Sequence, residues 1–228
     1  MREIFLAAVL VASALIGGAF AMPPADRGAL LDENSATFFD VVSIREAVAA
    51  MPEADLNESE TEGILFMREE EKLARDAYWT FDDQYSLPVF EKIAEAEETH
   101  MDSVKVLMDK YGLDDPILEA GRFANPDLQA LYDDLVERGS TSMEEALRVG
   151  AVIEETDIQD LKDRLVETDN EDIKMVYESL LRGSRNHLRA FANNLERRGI
   201  GYTPTILSQE EFDQIVGTQI ERGPHQSQ

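Results

Sequence analysis

Two of the three histidines in this chain lie where metal-binding chemistry would need them. His100 follows Glu97 by three positions, and in a helix that spacing puts both side chains on one face. His187 lies in a second segment with a helical pattern of apolar residues. Carboxylate oxygens suit hard divalent cations, and imidazole suits iron, manganese or zinc. The residue types and their spacing therefore indicate a metal site made of Glu and His.

The candidate ligands interrupt stripes of apolar side chains. Apolar residues recur at alternating spacings of three and four, which predicts four long helices at about 59–84, 88–111, 142–166 and 171–198. Each stripe is apolar at both ends and polar near its middle. Burying one unpaired ion costs several kcal/mol, so interruptions in all four stripes at one depth indicate a bound cation. The interrupting residues are Glu71, Glu97, His100, Glu154, Asp157 and His187.

Each of these positions also has a purely structural interpretation. A buried histidine is often a hydrogen-bonded core residue, and an acid beside an apolar stripe often lies at the helix edge. Glu70, Glu98 and Glu155 are neighbouring acids that compete for the same roles. A metal-free buried network of Glu, Asp, His and Tyr is the alternative to the whole site. Tyr78 and Tyr177 lie on the stripes, as packing residues or as hydrogen-bond partners of the site.

The connections between the helices predict how they are arranged. Ser59 with Glu62 and Ser142 with Glu145 have the capping-box form that begins a helix. Breaks near 86–88 and 168–170 are short, whereas about 30 residues separate the second and third helices. Short, long and short connections predict an all-α fold, an antiparallel four-helix bundle with one long crossover between helices two and three. Short helices are expected near 126–138, around 41–51 and after Ser208.

The composition excludes several classes of protein. The chain has no cysteine, which excludes disulfides, Cys-ligated zinc, iron–sulfur clusters and thiol catalysis. Its 47 acidic and 21 basic residues give a net charge of -26, which argues against a nucleic-acid partner. Hydrophobic residues make up 43% of the chain, enough for a substantial core.

The N-terminus has the features of a signal peptide. Arg2 precedes an apolar run over residues 4–16, and Ala19-Phe20-Ala21 is a small-x-small cleavage site. We expect residues 1–21 to be removed after Ala21 and the chain to be exported; an uncleaved anchor is the alternative. The remaining chain is divided into a loosely ordered arm over 22–56, the bundle over 57–200 and a tail over 201–228.

Two segments resemble the rubrerythrin branch of the ferritin-like superfamily. The stretch from Glu71 through Ala74-Arg75 to Tyr78 resembles its first-helix motif, and residues 97–100 match its second-helix Glu-x-x-His. The runs MREEEKLARDAY and LLRGSRNHLRAF also resemble an uncharacterised prokaryotic family of this superfamily, known only as a domain of unknown function. This resemblance extends over about 61–196.

The resemblance implies a role for each candidate ligand. Glu71 and Glu154 are the single carboxylates of helices one and three, Glu97 and His100 are one pair, and His187 takes the histidine place on helix four. Ser184 stands where a second Glu is expected. Asp157, one turn after Glu154, supplies an acid from another helix, as a ligand or as the residue that orients His187. Asp160 lies on the same helix, off the apolar stripe.

The resemblance also implies cofactors and function. The expected cofactors are two divalent transition-metal ions, iron with manganese or zinc as alternatives. The first hypothesis is a di-iron oxidoreductase of the peroxidase or ferroxidase type, acting on dioxygen or peroxide, in which Arg75 pairs with an acid behind the ligands. The second hypothesis is a non-catalytic metal carrier, or a bundle whose metal ions only stabilise its core. Ser184 and the lack of a Cys-ligated electron-transfer domain favour this second hypothesis. A homodimer is one of the assembly states that the sequence leaves open.

Overall fold

The computed structural model describes residues 41–222, and all regular structure in that part of the chain is helical. The predicted signal peptide, the arm before residue 41 and the last six residues lie outside the described residues. Every helix bound predicted for the four long segments lies within one residue of the bound in the structure. Between residues 41 and 222, no helix is long and apolar enough to cross a membrane. The helices are α1 Val41–Ala50, α2 Glu58–Tyr85, α3 Pro88–Tyr111, α4 Pro126–Gly139, α5 Met143–Glu167, α6 Glu171–Arg197 and α7 Gln209–Val216.

The first long helix begins at a different cap from the one predicted. Asn57 caps α2, accepting from the Glu60 N–H, and the Glu60 carboxylate accepts in return from the Asn57 N–H at 3.0 Å. Ser59 lies inside the helix and donates its hydroxyl to Glu167 instead. The prediction of a Ser59 cap was wrong because Asn57, two residues earlier, offers an equally good acceptor with an acid three positions on.

Neighbouring long helices run in opposite directions. Helix α2 packs against α3 and α5, and α6 packs against α5 and α3. Arg68 of α2 donates to the carbonyl of Met101 in α3, whereas Tyr78, later in α2, stacks on Phe90, earlier in α3. Residue numbers therefore increase along α2 in the direction in which they decrease along α3. The same reversal holds between α5 and α6, α2 and α5, and α3 and α6.

Two apolar clusters lie at opposite ends of these helices. Phe81, Phe90 and Phe191 belong to one cluster, which also contacts α4 and α7. Met67 and Leu107 belong to the other, which also contacts α1. The buried acids and histidines of the apolar stripes lie between the two clusters, which explains why every stripe is apolar at its ends and polar in its middle.

Part of the MREEEKLARDAY run holds the crossover between α3 and α4. Lys72 is fully buried and donates to Asp76 and to the carbonyls of Glu119 and Arg122, at 2.5, 3.0 and 3.1 Å. The Glu69 carboxylate accepts from the N–H groups of residues 124 and 125. These charged side chains fix the backbone of the long connection against α2.

The described part of the arm is a packed helix. Val48 of α1 is only 1% exposed, and α1 packs against α3 and α6. Lys110 donates to the carbonyls of residues 48, 51 and 52 at the end of α1, and it forms an ion pair with Asp172 at 2.7 Å. A lysine at a helix C-terminus satisfies carbonyls that have no partner within the helix.

We expect Gly150→Ala to destabilise the protein. A Cβ at Gly150 would lie 2.5 Å from a ring carbon of Phe191, which is fully buried. Ala normally stabilises a helix relative to Gly, but overpacking a core costs about 1–3 kcal/mol. Urea unfolding should therefore show a lower free energy of unfolding for this variant. Gly201→Ala, where nothing lies within 4 Å of the added Cβ, is the control. Equal stability of the two variants would contradict the prediction.

Candidate metal centre

The six residues predicted as ligands come from four helices and are all buried. Glu71 belongs to α2, Glu97 and His100 to α3, Glu154 and Asp157 to α5, and His187 to α6. None is more than 5% exposed. We call the six residues the metal cluster.

Glu97 lies at the centre of the metal cluster. Its Oε2 is 2.7 Å from His100 Nδ1, and its Oε1 is 2.9 Å from His187 Nδ1. The two imidazole rings stack with centroids 5.2 Å apart. Among the described residues, Glu97, His100 and His187 form the one group of three whose ligand atoms all lie within 4.8 Å of one another. One carboxylate thus faces two imidazoles, with one oxygen directed at each.

A further carboxylate accompanies each histidine. Glu71 Oε2 lies 3.1 Å from His100 Nδ1, and Glu154 Oε2 lies 3.5 Å from His187 Nδ1. The Tyr78 hydroxyl donates to Glu154 Oε1 at 2.5 Å, which orients that carboxylate. The cluster therefore divides into two halves, Glu71 with His100 and Glu154 with His187, which share Glu97.

Asp157 lies beside the residue that replaces the expected Glu. The Ser184 hydroxyl hydrogen-bonds to Asp157 Oδ2, so the serine and the displaced acid meet between α5 and α6. The other oxygen, Oδ1, has no hydrogen-bond partner among residues 41–222. Asp157 is not part of the group formed by Glu97, His100 and His187.

The cluster keeps its charges balanced with protons. Burial tends to raise the pKa of Glu97, but the two neighbouring imidazoliums hold it well below the usual range. Burial raises the pKa of Glu71 to about 8, against the opposing effect of His100. Burial likewise raises the pKa of Glu154 to about 7. Burial alone would lower the pKa of His187, yet Glu97 and Glu154 raise it to about 9. Near neutral pH Glu71 and His187 therefore favour their protonated forms in a buried core.

Several potential ligand atoms of the cluster make no hydrogen bond. Glu71 Oε1, Glu97 Oε2, Asp157 Oδ1 and His187 Nδ1 have no hydrogen-bond partner among the described residues. Glu97 Oε2 nonetheless lies at ion-pair distance from His100 Nδ1, and His187 Nδ1 lies at ion-pair distance from Glu97 Oε1, without hydrogen-bond alignment. Buried polar atoms are normally satisfied, so four unsatisfied carboxylate and imidazole atoms within one buried cluster fit the presence of a metal cation.

Two of the three competing acids, Glu98 and Glu155, do not belong to the metal cluster. Glu98 is exposed. Glu155 is buried, but it accepts from Tyr202 and from the N–H groups of residues 205–207, so it anchors the tail. Arg75 pairs with Asp76, which serves Lys72 and the crossover. The prediction that Arg75 supports a ligand was therefore wrong, because its acid partner points away from the metal cluster.

Glu70, the third of the competing acids, is buried next to the metal cluster. Glu70 is 5% exposed, and its carboxyl lies near that of Asp160. Asp160 therefore does not lie apart from the site, although it is off the apolar stripe. Residues 69–71 are three consecutive glutamates, so the sequence does not indicate which neighbour each of them contacts. Tyr177 also lies away from the cluster, beside Gly63 and Arg164.

Comparison with known proteins finds a matching family and a relative with a solved structure. The family described as "Uncharacterized protein domain (DUF2202)" matches residues 60–219. The chain is 49% identical over 180 residues to the uncharacterized protein MJ0754 of Methanocaldococcus jannaschii, covering 78% of this chain and 97% of that protein. It is also similar to the crystal structure of the hypothetical protein MJ0754, with a TM-score of 0.74, over 75% of this chain and 99% of that one. The chain therefore belongs to the DUF2202 family.

Proposed function

We propose that this chain is a ferritin-like four-helix bundle that binds two divalent transition-metal ions, iron in the first instance. We further propose that the loaded protein is an oxidoreductase that acts on dioxygen or peroxide. The observation that carries the proposal is the position of Glu97, with one oxygen directed at His100 and the other at His187. A carboxylate that faces two imidazoles can bind one ion beside each of them, which suits a pair of metal ions.

The packing of the helices supports the ferritin-like part of the proposal. Helices α2, α3, α5 and α6 each pack against two of the others, with neighbours antiparallel. A long crossover containing α4 separates the two pairs. Ferritin-like bundles have this connectivity and build metal sites from inward-facing acids and Glu-x-x-His pairs.

The two halves of the cluster would each hold one ion. Glu71 and His100 would bind one ion, Glu154 and His187 the other, and Glu97 both. Asp157 would add the negative charge that Ser184 cannot supply, because a neutral hydroxyl is a poor donor to a divalent cation. The four carboxylates would then balance the four positive charges of two divalent ions.

The surrounding residues prepare the site for redox chemistry. Iron bound there would supply the change of redox state that a reaction with dioxygen or peroxide requires. Tyr78 holds the Glu154 carboxylate and is a proton donor at Oε1. Phe90 and Phe191 pack against Tyr78 and keep bulk water away, with ring centroids 6.4 and 5.2 Å from the tyrosine ring.

A non-catalytic role is the second candidate function. Ser184 in the place of a ligating acid favours a carrier or a bundle stabilised by its metal. The two functions differ in one measurement, which is peroxide consumption by the iron-loaded protein with a supplied reductant. Turnover supports the oxidoreductase, and stoichiometric metal without turnover supports the carrier.

We expect protein purified from its native host to contain about two transition-metal ions per chain. Removing them with a chelator should lower the melting temperature, because a ligand that binds only the folded state stabilises it by about 3 kcal/mol at one hundred times its Kd. Elemental analysis and calorimetry measure the two quantities. Protein that lacks metal and melts at the same temperature with and without chelator would favour the metal-free buried network.

A further inference from the structure

A second group of acids lies between the metal cluster and the protein surface. Glu70 of α2 lies near Asp157 and Asp160 of α5. We call these three residues the uptake cluster, which shares Asp157 with the metal cluster. Glu70 and Asp157 are each 5% exposed, whereas Asp160 is half-buried and reaches solvent. The Glu70 and Asp160 carboxyls face each other across the two helices.

The uptake cluster contains oxygens that protein groups do not satisfy. Glu70 Oε2 and Asp157 Oδ1 are buried and have no hydrogen-bond partner within residues 41–222. The positive group that faces these acids is Arg164, whose guanidinium lies 4.3 Å from the centroid of the Phe66 ring. Three neighbouring carboxyls repel one another unless protons or cations intervene.

The uptake cluster is continuous with the metal cluster. Glu70 precedes Glu71 in α2, and Asp157 lies one turn after Glu154 in α5. The charge of Asp157 acts on both Glu71 and Glu154. Carboxyl groups therefore follow one another from the half-buried Asp160, through Glu70 and Asp157, to the metal cluster.

We propose that Asp160 and Glu70 take up divalent cations from solvent and pass them, by way of Asp157, to the other residues of the metal cluster. The inference rests on the proposed metal-binding function. Carboxylate oxygens are suitable ligands for a hard cation that exchanges quickly. The uptake cluster lacks imidazole, and its ligand atoms do not converge within 4.8 Å as those of Glu97, His100 and His187 do. Glu70 and Asp160 therefore hold a cation weakly and transiently, whereas the metal cluster, which includes Asp157, retains it.

Loading kinetics test this inference. Chelated protein is mixed with Co²⁺, and the visible absorption of the bound ion is followed with time. Glu70→Gln keeps the size of the side chain and removes its charge, so loading should slow about tenfold, within the range of electrostatic effects on association rates. The final amount of bound Co²⁺ should equal that of the wild type. Asp160→Asn, at the half-buried end, should slow loading in the same direction, and Asp163→Asn on the exposed face of α5 is the control.

Each outcome decides between the two proposals. Unchanged loading rates in both Glu70→Gln and Asp160→Asn would overturn the uptake role and leave the metal-binding function intact. A lower final content in Glu70→Gln at saturating Co²⁺ would also overturn it, because Glu70 would then be a permanent ligand. A wild-type protein that binds no Co²⁺ would overturn the metal-binding function and the uptake role together.

Discussion

Glu97→Gln should reduce the metal content from about two ions per chain to nearly none. Glu97 is the residue of the cluster that contacts both histidines, at 2.7 and 2.9 Å. An amide has the same shape but no charge, so neither half of the cluster would keep its shared ligand. The metal-free variant should also lose about 3 kcal/mol of stability, since removing one partner of a buried ion pair leaves the other uncompensated.

Glu98→Gln is the matched control for this substitution. Glu98 is the next residue of the same helix and is exposed, so its variant should bind and unfold as the wild type does. Elemental analysis and urea unfolding give both readouts. A Glu97→Gln protein that retains two ions would mean that the metal binds elsewhere. One that retains a single ion would mean that Glu97 belongs to one half of the cluster.

Chelated protein should become less stable as the pH rises from about 5 to 9, whereas metal-loaded protein should change much less. The pKa values of Glu71 and Glu154 are raised from 4.5 to about 8 and about 7, and that of His187 from 6.5 to about 9. The folded chain therefore keeps protons that the unfolded chain releases. The stability that these groups contribute is present below their unfolded pKa values and is lost as the pH rises through the folded ones.

The expected effect is large because these groups are almost fully buried. A difference of one bound proton over three pH units changes the free energy of unfolding by about 4 kcal/mol. Bound metal replaces those protons, so the stability gap between loaded and chelated protein should widen with pH. Glu97 has the opposite effect on the pH dependence of stability. Because its pKa is lowered in the folded chain, the stability that it contributes is lost only at acidic pH.

Urea unfolding at pH 5.5, 7.0 and 8.5, with and without chelator, measures this dependence. Glu71→Gln is the matched variant, because glutamine resembles a protonated glutamate at every pH. Its chelated form should lose less stability over the same range. Chelated wild-type protein that became more stable between pH 5.5 and 8.5 would show that the cluster does not hold these protons.

The helices and the ligand candidates could be read from local pattern. Hydrophobic periodicity is set by helix geometry, which is local, so it gave the helix bounds to within one residue and the six polar positions on the stripes. The assignment of neighbouring acids could not be read in the same way. Glu69, Glu70 and Glu71 are consecutive in the sequence, yet they contact the crossover, α5 and α3 respectively.

The sequence by itself determined that the chain is helical and that acids and histidines interrupt its core at one depth, because both follow from residue spacing along single helices. Only the tertiary structure decided that Glu97 lies between the two histidines and that Ser184 contacts Asp157. It also decided that Glu155 and Arg75 have structural partners, whereas Glu70 and Asp160 adjoin the site. These contacts join residues far apart in the chain, and they depend on how four helices pack together and where the crossover runs.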